Sequence, residues 1–369
     1  MSSQHNRRSF LKASAVGAVS LSSGNAAASP AIVQAPDKVR ISSIQTRKNP
    51  KQNMAQPNPF KPDFSMDNLY RWIDGWLDGY EAMFTQAHKD QCILSVVLED
   101  FTHIAHTMMF LDDRSVFNDA VDYQTTRIEN RLSEAARKNN LYLVACYFAR
   151  ENGKIYNVAD LFSPSGDRVG RYRKVHIPQY EKWQVTAGDE FPAFETDIGW
   201  ISMLICYDQM WPESAACCAM NGAQLICQPS AASLADYHMK ARAHDNQVHM
   251  LSSTYHHSMI SSPKAEILAN AESKDPTIIH ADVDLKNATV SPEYFYESLY
   301  SGIRDHKERH MKFRRPDAYK VLTQQKPPLA SQYPTDNVAN TPERISQVYQ
   351  TVKNIRQGHP DFQHYHWNW

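Results

Sequence analysis

Hydrophobic and polar positions change period several times along this chain, and each change marks a predicted element. Val39 to Gln45 (VRISSIQ) alternates as a strand buried on one face does. After a proline-punctuated loop from Asn49 to Asp63, apolar residues recur at Leu69, Trp72, Ile73, Trp76, Leu77, Tyr80, Met83, Phe84 and Ala87, one stripe of an amphipathic helix. Ile93 to Leu98 (ILSVVL) reads as a buried strand that ends at Glu99-Asp100. A second helix is expected from Gln124 to Lys138, with Ile128, Leu132, Ala135 and Ala136 on one face. Leu141 to Ala149 and Lys154 to Phe162, turned by Asn152-Gly153, predict a hairpin, and Pro164-Ser165-Gly166 turns the chain again into Arg168 to Tyr172.

Further on, Trp200 to Ile205 (WISMLI) is a short apolar strand that runs out at Cys206. Tyr207 to Trp211 make a polar connection, and Pro212-Glu213 opens a helix, because proline's missing N–H would be unsatisfied at that position anyway. The helix stops at Asn221-Gly222, and the next strand, Ala223 to Gln228, starts at once. A helix around Tyr237 to Val248, a strand at Met250 to Tyr255, and a last pair near Ala265 to Leu268 and Ile278 to Leu285 complete the pattern. This mixed order predicts an α/β fold with two sheets covered by helices.

Composition narrows the function classes. With 369 residues, 42% of them hydrophobic, the chain can bury a large core in one or two domains. A formal net charge of -1 gives no electrostatic case for nucleic acid or an anionic membrane surface. Beyond the first residues no apolar run approaches the roughly 18 needed to span a bilayer. At the N-terminus, Asn6-Arg7-Arg8-Ser9-Phe10-Leu11-Lys12 resembles the twin-arginine export motif, followed by a mildly apolar stretch and Ala26-Ala27-Ala28. Residues 1–35 are therefore expected to be a leader read by the twin-arginine export machinery, which places the mature protein in the periplasm. Such substrates cross folded, so the thiols of Cys92, Cys146, Cys206, Cys217, Cys218 and Cys227 are expected to remain unpaired.

Candidate chemistry gathers at strand ends. Cys206 sits at a strand-to-helix elbow beside a helix N-terminus, a setting that favours the reactive thiolate, although a free cysteine is more commonly a small core hydrophobe. Glu99 follows ILSVVL directly and Lys174 follows the strand RVGRYR, positions where α/β folds collect reactive groups. Taken singly, each has a plainer reading, a solvated strand-end charge for Glu99 and a surface basic run for Lys174.

Together these stretches resemble the carbon-nitrogen hydrolase (nitrilase) superfamily. The resemblance covers about Val39 to Leu285, with Arg314 to Asp317 downstream, and rests on the Glu99 strand end, GKIYNVADLFSPSGDRVGRYRKVHIP, LICYDQMWPE, GAQLICQPS and RAHDNQ. It implies a four-layer α-β-β-α sandwich over residues 36–319, two subunits packed helix layer on helix layer in a homodimer or larger homo-oligomer, and no metal or organic cofactor. It also implies Cys206 as nucleophile, Glu99 as general base, Lys174 as the cation that stabilises a tetrahedral intermediate, and Glu181 in support, with Tyr207 and Trp211 beside the substrate. Tyr207-Asp208 with Trp211-Pro212-Glu213 is similar to the amidase and N-carbamoyl-amino-acid amidohydrolase branches, whereas true nitrilases tend to carry Trp-Glu after the nucleophile. The carbamoyl branch holds its substrate carboxylate with an arginine pair, and here Gln209 and Met210 occupy those positions, so a carboxylate clamp is not expected there. Ser202 and Gln228 also depart from the family pattern, at a common glycine and a usual asparagine. The expectation is hydrolysis of a small-molecule linear amide or N-carbamoyl compound through a thioester, with ammonia released. A nitrilase, or an inactive binding member of the fold, stands as the alternative. Residues 320–369 read as an extension whose end, with His359, His364 and His366 among aromatic residues, is expected to pack against a neighbouring subunit.

Overall fold

The computed structural model describes residues 38–324 apart from 47, 52, 106–112, 179–180, 233, 273–275 and 291–295, with six further positions between 346 and 354. The segment expected to be a leader and the histidine-rich end lie outside the described residues.

The first half builds one sheet. Strands β1 (Val39–Gln45), β2 (Leu94–Val97), β3 (Tyr142–Glu151), β4 (Lys154–Phe162) and β5 (Arg168–Arg173) lie side by side in that order. The chain's late strand β12 (Thr277–Val283) closes the free edge of β1. Helices α1 (Met66–Lys89) and α2 (Arg114–Asn139) are the crossovers that make β1, β2 and β3 parallel. The start of α1 follows from its sequence, since the Ser65 hydroxyl accepts the Asn68 N–H at 3.2 Å.

A second six-stranded sheet runs β11 (Ile267–Asn270), β10 (Met259–Ser261), β9 (His249–Ser253), β8 (Leu225–Pro229), β7 (Gly199–Met203) and β6 (Ala193–Thr196). Its parallel core, β7 to β9, is crossed by α3 (Pro212–Met220) and α4 (Asp236–Asn246). Two short helices, α5 (Tyr296–Ser301) and α6 (His306–Phe313), follow the sheets.

Side-chain alternation assigns each strand face to a core. On β3, Leu143, Ala145 and Tyr147 point into the layer shared with α1 and α2, while Tyr142, Val144 and Cys146 point into the layer shared with the second sheet. The second layer joins Ile41, Leu94 and Val96 to Ile201, Met203, Cys227 and Leu251. Polar groups also cross it. Ser43 Oγ donates to the Ser252 carbonyl at 2.8 Å, and Ser253 Oγ to that of Ile44 at 2.7 Å. The α-β-β-α order is the architecture expected from sequence.

Some elements differ from the pattern reading. Helix α2 begins at Arg114, a full ten residues before Gln124, because Asp113 caps it and its first turns bury Phe117, Ala120 and Val121. Strands β6 and β10 were not expected; each is four residues or fewer, too short to display a period. The connection after Cys206 is a turn of 3₁₀ helix, Cys206–Met210.

Candidate active site

Three charged side chains meet at the ends of β2 and β5 and on the short 3₁₀ turn Glu181–Trp183. Lys174 Nζ donates to Glu99 Oε1 at 2.8 Å and to Glu181 Oε1 and Oε2 at 2.9 and 3.2 Å. All three residues are buried, so neither plain reading survives, the solvated glutamate or the surface lysine. Glu99 is held at further points: Asn157 Nδ2 on β4 donates to Oε1 at 2.9 Å, and the Ala231 N–H, just beyond β8, donates to Oε2 at 2.9 Å. Oε1 thus has both acceptor directions filled, and Oε2 keeps one.

The electrostatics follow from burial among opposite charges. Burial would raise the Glu99 carboxyl, but the Lys174 ammonium, with hydrogen bonds from Lys174, Ala231 and the Cys206 thiol, holds it below the usual carboxylate value. Burial would lower Lys174, but Glu181 and Glu99 hold it well above the ordinary lysine value, firmly charged. Glu181 has the same cation yet is raised, by burial first and by the nearby Glu99 charge.

Cys206 faces this cluster from the end of β7. Its φ of 41° lies in the left-handed region, a conformation that costs a non-glycine residue about 1 kcal/mol or more. The strain turns the thiol out of the strand line before the chain enters the 3₁₀ turn. Burial, and then the Glu99 charge, push the thiol up to about 12, with Lys174 pulling the other way. The sequence expectation of a thiolate favoured by a helix N-terminus is corrected here, since desolvation beside a carboxylate outweighs the helix end. The resting thiol keeps its proton.

The elbow is pinned from several sides. Asp208, fully buried, accepts from the Ile205 N–H at 2.9 Å and the Tyr172 hydroxyl at 2.7 Å through Oδ2, and from the His176 N–H at 3.0 Å through Oδ1, with His176 Nδ1 at 2.8 Å. Gln228 Nε2, where the family pattern has asparagine, reaches the Cys206 carbonyl at 3.5 Å. Glu99, Lys174, Glu181 and Cys206 are therefore brought together as a group. Tyr207 and Trp211 instead form an aromatic pile, with Trp211 stacked on His176 at 3.9 Å and Tyr207 edge-on to Trp211 at 5.0 Å. Sequence reasoning missed Asn157, Tyr172, His176 and Asp208. For Asn157 a signal existed, a polar residue in the middle of the otherwise apolar IYNVA run.

The sequence profile of the family described as carbon-nitrogen hydrolase matches residues 99–292, more than half of the 369 residues. The chain belongs to the carbon-nitrogen hydrolase family. Glu99, Lys174, Glu181 and Cys206 all fall within the matched span. Omega-amidase NIT2 of Homo sapiens is 31% identical over 183 residues, covering 42% of this chain and 66% of the relative. The probable hydrolase YhcX of Bacillus subtilis is 36% identical over 200 residues, 50% of this chain and 38% of YhcX. A carbon-nitrogen hydrolase from Helicobacter pylori superposes with a TM-score of 0.62 at 21% identity, covering 78% of this chain and 99% of that one. An amidase from Nesterenkonia sp. AN1, solved with the acetamide moiety of fluoroacetamide added at its active-site cysteine, superposes at 0.56 with 17% identity, over 76% of this chain and 96% of that one. These superpositions place the fold of this carbon-nitrogen hydrolase.

Proposed function

We propose that this carbon-nitrogen hydrolase cleaves a linear amide or N-carbamoyl compound through a Cys206 thioester and releases ammonia. The observation that carries the reading is the buried group of Glu99 and Lys174 facing a strained cysteine. Because the resting thiol keeps its proton, its transfer to Glu99 accompanies attack of the sulfur on the carbonyl carbon. The carbonyl π pair moves onto oxygen as the C–S bond forms, and the Lys174 ammonium faces that oxyanion, a role in which one preorganised donor is worth roughly 3 to 4 kcal/mol. Collapse breaks the C–N bond, Glu99 returns the proton to the nitrogen, and ammonia leaves. Glu99 then takes a proton from water as the water attacks the thioester, freeing the acid and the thiol. Glu181 holds Lys174 in place and balances its charge.

Support for an amide comes from the omega-amidase relatives and from Tyr207-Asp208 following the nucleophile. The test is ammonia release from matched N-carbamoyl amino acids, their carboxamides and the corresponding nitriles. The expected result is turnover of the carboxamide or carbamoyl compound, and no gain from a free α-carboxylate, since Gln209 and Met210 replace the arginine pair. A preference above about tenfold in kcat/KM for the nitrile rejects the amidase reading. The same margin for the free carboxylate would point to Arg242, whose Nη2 reaches the Gln209 carbonyl at 3.4 Å.

The reading extends to place and assembly. The Arg7-Arg8 motif supports export by the twin-arginine machinery to the periplasm, where the protein acts as a homodimer or larger homo-oligomer. Replacing both arginines by lysine should leave the protein in the cytosolic fraction.

A further inference from the structure

We propose that Asp208 is a positioning residue that locks the lysine-bearing end of β5 to the strained nucleophile elbow. The inference rests on the reading of Cys206 and Lys174 as reacting groups and extends it to a residue that touches neither.

Each carboxylate oxygen of Asp208 takes two partners. Oδ1 receives the His176 N–H at 3.0 Å and lies 2.8 Å from His176 Nδ1; Oδ2 receives the Tyr172 hydroxyl at 2.7 Å and the Ile205 N–H at 2.9 Å. All the acceptor directions of a carboxylate are thereby used. The partners belong to two separate segments. Tyr172 and His176 flank Lys174 on either side, and Ile205 immediately precedes Cys206. One buried side chain therefore spans the cation and the nucleophile, residues that come from different sheets.

The contacts of Lys174 explain why such a link matters. Its ammonium is bonded to Glu99 and Glu181, which fixes it relative to the carboxylates, while the thiol that bonds Glu99 is placed by the elbow that carries it. Cys206 sits in a left-handed conformation that persists only where its surroundings over-determine it. The bond from Ile205 N–H to Asp208, together with the Asp208 N–H to the Ile205 carbonyl at 3.0 Å, closes the chain around that residue. The His176 ring is further clamped by its stack on Trp211, which ends the same turn. A small shift of the elbow would move the thiol off the line between Glu99 and the carbonyl carbon, and misplacement of that order is costly in rate.

Asp208→Asn is the diagnostic change, because volume is kept and the bonding cannot be. The Tyr172 hydroxyl and the His176 ring can reverse roles, but each oxygen also faces a backbone N–H, which cannot. Whichever way an asparagine amide is turned, its NH₂ meets one of the two backbone donors. Tyr172→Phe is the milder companion: it leaves both N–H groups that face Asp208 paired, and it removes the donor to Oδ2 together with the acceptor of the Val175 N–H at 3.3 Å.

The experiment measures melting temperature, kcat and KM on the preferred amide, and the rate of iodoacetamide alkylation of Cys206 followed by mass spectrometry, in the full-length protein. For folded Asp208→Asn, kcat should fall by about thirtyfold or more while KM changes less than about threefold, and alkylation should slow by about tenfold. Tyr172→Phe should slow alkylation by roughly threefold, and the double variant should fall clearly short of the product of the two single effects, since the hydroxyl donates to that carboxylate and its other contact, to the Val175 N–H, is the weaker. Asp208→Asn protein with a lowered melting temperature but wild-type kcat and alkylation overturns the proposal and leaves Asp208 a stabiliser only. Independent, multiplying effects of the two substitutions also overturn it. Where Asp208→Asn fails to fold, Tyr172→Phe decides, and an unchanged alkylation rate in it overturns the proposal. Alkylation that depends on Asp208 in a protein that turns over no amide supports the positioning role and rejects the amidase reading instead.

Discussion

Lys174 is a fully buried ammonium between two buried carboxylates, so its removal tests structure and chemistry at once. Lys174→Met keeps the volume and removes the charge. It should depress kcat by about two orders of magnitude or more and cost about 3 to 5 kcal/mol of stability near neutral pH, because Glu99 and Glu181 are left unpaired in the interior. Burial then raises both carboxyls, so the folded form holds protons that the unfolded chain has released, and the lost stability should partly return as pH falls below neutrality. Urea titrations at several pH values check this, and a pH-independent loss would reject it. Cys206→Ala should differ in kind. It abolishes turnover but leaves the melting temperature within a few degrees, since an alanine also accepts the left-handed backbone at about the same cost.

Strand ends and turns, more than strand interiors, control the site. The 3₁₀ turn and α3 carry Cys206 away from β7, and the return segment before β6 braces the lysine strand end through Gly188, whose N–H donates to the Lys174 carbonyl at 2.8 Å. A Cβ at Gly188 would lie 2.3 Å from the Arg173 carbonyl oxygen, a backbone atom with little room to give. Gly188→Ala should therefore destabilise the protein by about 1 to 3 kcal/mol and lower kcat, because the strand that must yield is the one bearing Lys174. A second element-scale prediction concerns β9. Burial lowers His249 to about 4 from an ordinary 6.5, so the unfolded chain binds its proton first as pH falls. Stability should drop by about 2 kcal/mol on going from neutral pH to about pH 5 through this residue, and a His249→Leu variant should show a correspondingly shallower loss.

At the scale of the whole molecule, two sheets face one another across a shared core, and four of the six cysteines are locked inside the layers. All six are free thiols; Cys92, Cys146, Cys218 and Cys227 are buried, while Cys206 and Cys217 are partly accessible. Under native conditions, alkylation should mark Cys206 and Cys217, and the other four only at the rate of global opening, which added urea would raise in step for all four. Early labelling of Cys227, which shares with Met203 and Leu251 the face of the second sheet turned to the first, would show that the two sheets part before the rest of the molecule opens.

The sequence by itself determined the order of elements and the identity of the central acid, cation and thiol. Long periodic segments such as α1 and the β3–β4 hairpin speak through local pattern, Glu99 and Cys206 stand where apolar strands stop, and Lys174 follows the basic strand RVGRYR. It also marked Glu181 through the family motif. What only the tertiary structure decided is whatever depends on groups far apart in the chain. The burial that pushes the Cys206 thiol up to about 12 comes from the closing of the two sheets around it, not from its neighbours in sequence. The short strands β6 and β10 exist because an edge was available to pair with. Asp208 looks like one polar residue in a loop until Tyr172 and His176, more than thirty positions earlier, converge on it. Local pattern encodes which face of an element is buried; the identity of the group that meets it there is set by packing.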